Sequence, residues 1–239
     1  MKLGASVFHR IVKPYVQGLH LGSYTYIFSA ILDNTFCKED TKELIAKHPE
    51  LYIQSNVANF INLVGLSPIY YIGADNFLLV DKSVGLQMLK LLGMLFTHNV
   101  MFYFLHKMFH DYRQLYFIHR FHHRFVKPIP SNGNAVSVTE YNIAYVLPFL
   151  FGAFMISPNG YTFQISIAII SFLNSLIHSG ALRHIRFLPI FVVPQDHLTH
   201  HEKLSTKYAS PLLNVDYLMK SIKERKESTY HKYRHTGSI

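Results

Sequence analysis

The chain has 239 residues, 49 % of them hydrophobic and only 15 % charged, well short of the roughly 25 % charged residues of a soluble domain, so an ordinary water-soluble core is excluded. Its 23 Lys and Arg against 14 Asp and Glu give a formal net charge of +9; these basic residues flank apolar runs, where the positive-inside bias and anionic headgroups account for them without a nucleic acid. Cys37 is the single cysteine, which excludes an intrachain disulfide and a thiolate metal site and leaves histidine and oxygen as the only ligands for a metal.

In chain order, Lys2, Arg10 and Lys13 precede an uncharged stretch, Tyr15 to Leu32. It is longer than the apolar core of a signal peptide and reads as a membrane-anchoring or interfacial helix. Residues 33–50 are polar with mixed charge and read as a solvated connector holding a short helix. Leu51 to Ala74 is uncharged and long enough to cross a bilayer of roughly 30 Å, with a kink expected at Pro68. After a short turn around Asp75, Asp81 and Lys82, Ser83 to Leu105 returns, with Lys90 free to snorkel near the outer end. From Tyr141 to Leu182 no Asp, Glu, Lys or Arg occurs, and Ser157-Pro-Asn-Gly160 in its middle is a turn signal that makes a second hairpin. The tail from Lys220 to His235 reads as a solvated helix or flexible end. The expected fold is all-α and polytopic: about four transmembrane helices in two hairpins, an N-terminal anchoring helix, and a cytosolic helical cap.

The histidines cluster at the ends of these spans. His106 and His110, then His119, His122 and His123, follow the first returning helix; His178 ends another apolar run; His197, His200 and His201 come last. Residues three and four apart share one helix face, so each cluster can aim two imidazoles at one point. Nine histidines exceed one four-ligand site and suit two ions, and imidazole favours iron, zinc, copper or nickel over magnesium or calcium. His9, His20, His48, His98, His184, His231 and His235 stand alone and read as ordinary core or surface residues. Five basic residues lie in 106–140 and ten after 182, against one in the two hairpin tips, which predicts that all the clusters face the cytoplasm. A transporter places ionisable groups within its spans, so the gathering of histidines at span ends argues against one. His-Glu-x-x-His and a Gly-rich phosphate loop are both absent, giving a zinc protease or nucleotide enzyme no support.

From about Asn99 to Leu218 the sequence resembles the membrane fatty acid hydroxylase superfamily, which also holds sterol desaturases and sterol C-4 methyl oxidases. The resemblance is carried by Tyr103-x-x-His106-x-x-x-His110, by Leu115-Tyr-x-x-His119-x-x-His122-His123 with Pro128 five residues on, and by Glu140. It continues in His178-Ser-Gly180 and in His197-x-x-His200-His201 followed by Tyr208 and Asp216. Departures are Asn99 where many relatives are acidic, Ser137-Val138 in place of His-Pro, Lys207 in place of asparagine, and Met219-Lys220 in place of Gly-Thr. The resemblance implies a catalytic domain over 51–218, between a membrane-associated segment (1–50) and a basic tail (219–239). It also implies two iron ions held by the nine histidines, with dioxygen as co-substrate and electrons from a cytochrome b5-type donor and its NAD(P)H reductase. Glu140, Asp196 and Asn174 are expected to orient ligand imidazoles. The expected activity is lipid hydroxylation, in the endoplasmic reticulum membrane if the source is a eukaryote. The alternatives are desaturation or methyl oxidation of a sterol on the same scaffold, and a non-catalytic metal-binding membrane protein.

Overall fold

The computed structural model describes residues 11–81 and 83–224; the single histidines at 9, 231 and 235 and most of the basic tail lie outside them. Among the described residues the secondary structure is helical throughout, with one isolated bridge between Phe191 and Leu213. Helix α1 spans Lys13–Thr35 and α2 Lys38–Lys47. Among the described residues four helices are long and apolar enough to cross a membrane: α3 (Pro49–Ala74), α4 (Val84–Asp111), α6 (Val138–Ile156) and α7 (Gly160–Ile177). Between them lies the short α5 (Arg113–His119), and α8 (Pro194–Lys203) follows. Proline opens α3 and α8, where its missing N–H costs nothing. The Asn159 side chain caps α7 by accepting from the Thr162 amide at 2.8 Å.

The kink expected at Pro68 is found, preceded by a widened turn at Ile61–Gly65 in which the Leu66 amide donates to the Ile61 carbonyl. Helix α6 widens in the same way over Tyr141–Val146, just before Pro148. In both, a proline that cannot donate to the preceding turn leaves the helix to re-register by one residue. The two hairpin tips meet on the face away from the histidines. Leu79 donates its amide to the Pro158 carbonyl at 2.9 Å, and Gln87 Oε1 accepts from the Asn159 amide and the Thr162 hydroxyl. Lys90, expected to snorkel outward, instead turns into this junction and donates to the Ser157 carbonyl at 2.8 Å.

The core lies between α3, α4, α6 and α7, around edge-to-face pairs of Tyr70 with Tyr141 and Phe149 and of Tyr71 with Phe163. Only 33 % to 50 % of each span's apolar window is buried; Leu89, Phe96, Phe104, Phe154, Met155 and Ile165 point outward, a surface that hydrocarbon covers and water does not.

Helix α1, expected to anchor or lie at the interface, packs into the bundle. It lies along α3 with Gly18, Gly22, Thr25 and Ser29 on the buried face, the small-residue seam by which membrane helices approach closely. A Cβ on Gly22 would stand 1.6 Å from the Leu63 carbonyl oxygen. Gly22→Ala is therefore expected to separate the two helices and cost about 3 kcal/mol, the upper end of ordinary overpacking. Thermal unfolding in detergent checks it: an unchanged transition would mean that α1 is not held there.

A candidate metal centre of nine histidines

The four segments that carry histidines converge at one end of the bundle. The last turns of α4 supply His106 and His110. After the extended residue Tyr112 the chain reverses, and α5 supplies His119. A 3-10 turn over His122–Arg124 supplies His122 and His123; His178 sits at the C-terminal end of α7; and α8 supplies His197, His200 and His201. All nine are buried except His110, which is partly exposed.

They sort into two groups, His106, His110, His119, His123 and His200 in one, and His122, His178, His197 and His201 in the other, with one ring nitrogen of each member within 4.8 Å of the rest of its group. Helical spacing accounts for the pairs that stay together, and packing decides the rest. Residues four apart share a face, so 106 with 110, 119 with 123 and 197 with 201 stay together. The residues at 122 and 200, three after 119 and 197, join the other group instead. Each His-x-x-His-His segment thus contributes to both groups.

The ring nitrogens point at one another, and at His106 and His119 they do so in a way hydrogen bonding does not explain. His106 Nδ1 lies 2.8 Å from the Tyr208 carbonyl and His119 Nδ1 lies 2.6 Å from Glu140 Oε1. His178 Nδ1 and His200 Nδ1 face the carbonyls of Asn174 and Thr206 at 2.6 and 2.8 Å. A carbonyl or carboxylate only accepts, which assigns the proton in each of these rings to Nδ1 and leaves Nε2 a bare lone pair. Yet His106 Nε2 and His119 Nε2 stand 2.9 Å apart, two lone pairs face to face. His119 Nε2 is also 2.8 Å from His123 Nε2, and in the second group His178 and His197 meet at 2.9 Å through Nε2. His200 Nε2 is buried with no partner. Ligands about 2.1 Å from one cation and roughly 90° to 109° apart would be separated by about 3.0 to 3.4 Å, close to these spacings. The clusters fit metal ions, because a cation satisfies all the lone pairs at once.

Burial sets the charge state. It lowers the pKa values of His119, His122, His123, His197 and His201 below the ordinary imidazole range, and those of His178 and His200 to about 4. The rings are neutral at pH 7, the form that binds a metal.

The three residues expected to orient imidazoles behave differently. Glu140 contacts His119 directly, and the Ser137 hydroxyl accepts from the Glu140 amide at 3.1 Å. Asn174 acts through its backbone: its carbonyl faces His178, while its side-chain amide donates to the Gly133 carbonyl at 2.9 Å. Asp196 meets no imidazole; Lys207 Nζ reaches its Oδ1 at 2.6 Å, so the departure at 207 from the family's asparagine brings a cation that claims this carboxylate. Asn99, another departure, accepts the amides of Leu212 and Leu213 at 3.0 Å each and so ties α4 to the segment carrying the Tyr208 carbonyl. Sequence reasoning missed the carbonyls of Thr206 and Tyr208, which have no side-chain signature. It also missed Gly133, where a Cβ would stand 2.9 Å from His178 Nδ1. His98, read as ordinary, is fully buried against Phe149, their rings 4.3 Å apart, and belongs to neither group.

Glu140→Gln keeps the size of the side chain but replaces a carboxylate acceptor with an amide. Losing such an outer partner costs ~10–100-fold in metal affinity; metal titration of the stripped protein checks this, and unchanged affinity would show the contact to be idle.

Spanning helices and a largely buried cluster of neutral imidazoles at one end of the bundle define an integral membrane protein with a donor set compatible with metal binding. The family model for fatty acid hydroxylases matches residues 91–221, more than half of the chain. The chain belongs to that family, within the superfamily that includes the sterol desaturases, as its histidine boxes lead one to expect. Searches of curated proteins and of solved structures returned no match.

Proposed function

We propose that the protein is a membrane-bound non-haem di-iron oxygenase that hydroxylates a lipid. One iron is held by His106, His110, His119, His123 and His200, the other by His122, His178, His197 and His201. The observation that carries this reading is the convergence of nine ring nitrogens into two adjoining groups, with the Nε2 lone pairs of His106 and His119 facing each other. Two irons supply, with dioxygen and two electrons, oxidising power toward an unactivated C–H bond that no side chain has.

The chain's own residues keep the rings neutral by burial, hold Nε2 of His106, His119, His178 and His200 free by binding Nδ1, and place the histidines at one end of the spanning helices. Phe102 and Phe109 back His106 and His119 with ring centroids 5.2 and 5.9 Å away, shielding that side from water. The positive-inside bias favours an orientation with the centre on the cytoplasmic side, in a eukaryote that of the endoplasmic reticulum membrane. A cytochrome b5-type donor, fed by its NAD(P)H reductase, would deliver the electrons there.

Lipid profiling of cells expressing the chain tests the reading. A lipid that gains one oxygen atom is expected. A lipid that loses two hydrogens identifies desaturation, and an unchanged profile with iron loaded and a donor present overturns the activity.

A further inference from the structure

On the histidine side of the bundle, α2, the start of α3 and the segment after His123 enclose a cavity of about 280 Å³. Its floor is apolar: Leu44, Leu51 and Phe125, all buried. Its walls carry Asp40, Glu43 and Lys47 from α2 and Arg124 and Lys127 from the segment after His123. Glu43 is shared between Lys47 at 2.8 Å and Lys127 at 3.6 Å, while Arg124 Nη1 donates to the neutral Gln54 Oε1 at 2.8 Å. Cations outnumber acids, and the guanidinium is not neutralised by its hydrogen-bond partner.

Gln54 also lines a second hollow, an open groove of about 410 Å³ along α3 walled by Ile53, Val57, Ile61, Phe121 and Val138. The Arg124–Gln54 bond and the edge-to-face pair of Phe121 and Phe125, 5.7 Å between centroids, form the boundary where the two adjoin. Phe121 and Phe125 bracket His122 and His123 in the chain. Asp40 Oδ2 lies 3.0 Å from the position a Cβ on Gly180 would take, two residues after His178. The charged cavity thus sits beside the four-histidine group, with the apolar groove running from it along a spanning helix.

We infer that cavity and groove together bind one membrane lipid with a phosphate-bearing headgroup, the phosphate on Arg124 and Lys127 and an acyl chain along Ile53, Val57 and Ile61. The guanidinium fork selects phosphate geometry, and apolar walls at bilayer depth select a chain. As a lipid site this stands by itself; as the place where substrate waits, it rests on the oxygenase reading.

The full chain, purified in detergent with its metal, is titrated with dioleoyl phosphatidic acid and followed by native mass spectrometry. Dioleoylglycerol serves as the headgroup-free control and inorganic phosphate as the chain-free competitor. One saturably bound phosphatidic acid is expected, weakened at least tenfold in Arg124→Gln/Lys127→Gln and again in Val57→Trp, which fills the groove from an exposed position. Equal binding of dioleoylglycerol, displacement by equimolar phosphate, or wild-type affinity in these variants overturns the inference. Iron is measured on the same samples: lost lipid selectivity with iron retained defeats this site alone, whereas selective lipid binding by a chain that takes up no iron defeats the oxygenase reading alone.

Discussion

Replacing His200 with alanine is expected to abolish product and to weaken metal binding at the five-histidine group while leaving the helices intact. His200 is the one member of that group supplied by α8, so it ties the last histidine segment to the first two. Its Nδ1 is committed to the Thr206 carbonyl and its Nε2 is buried without a partner. Loss of an outer partner already costs ~10–100-fold, so loss of a direct ligand should exceed ~100-fold in activity. His122→Ala makes the reciprocal test, because His122 is the member of the second box that crosses to the four-histidine group. Metal content, product yield and far-UV circular dichroism read together separate the possibilities. Full activity in either variant would show that the ring is not a ligand, and lost helicity would show that it is a packing residue.

The metal-free chain is expected to lose stability steeply as pH falls below about 6.5, the ordinary imidazole pKa. The sign follows from burial. His178 and His200 keep their protons off down to about pH 4 when folded, whereas in the unfolded chain they take them up near 6.5. Between these values the unfolded state binds more protons, so acid favours it. The penalty is absent above the unfolded pKa and complete below the folded one, reaching about 3 kcal/mol for each of these two rings. His119, His122, His123, His197 and His201 shift in the same direction and add to it. Bound metal should be released over the same range, because protons and metal compete for the same lone pairs. Melting temperatures of the stripped and loaded protein from pH 7.5 down to pH 5 check both statements. A flat profile for the stripped protein would mean that the rings are solvated rather than buried.

Much of this was legible in the sequence because the physics involved is local. Uncharged runs of spanning length, a proline inside one of them and a Ser-Pro-Asn-Gly turn in another specify helices, a kink and a hairpin without tertiary information. The histidine spacing i, i+3, i+4 likewise announced convergent clusters. The sequence did not reveal how the clusters divide. His122 and His123 are neighbours that join different groups, and that depends on how α5 and the 3-10 turn are packed against α8. Asp196 illustrates the limit: its place beside the last box made it a candidate to orient a ring, but Lys207, eleven residues on, reaches it first. The role of α1 was missed for a related reason. Gly18 and Gly22 lower the hydrophobicity that marks a span, yet they are the residues that let the helix lie against α3. Backbone carbonyls that fix imidazole tautomers, at Asn174, Thr206 and Tyr208, leave no trace in residue identity.

The most direct test is elemental analysis of the full chain purified from iron-replete cells in mild detergent. Nine neutral imidazoles in two groups predict about two irons per chain, with loss on acidification and a reduced load in His122→Ala and His200→Ala. A folded protein from the same cells that carries no iron, or an iron load indifferent to both substitutions, would contradict the account.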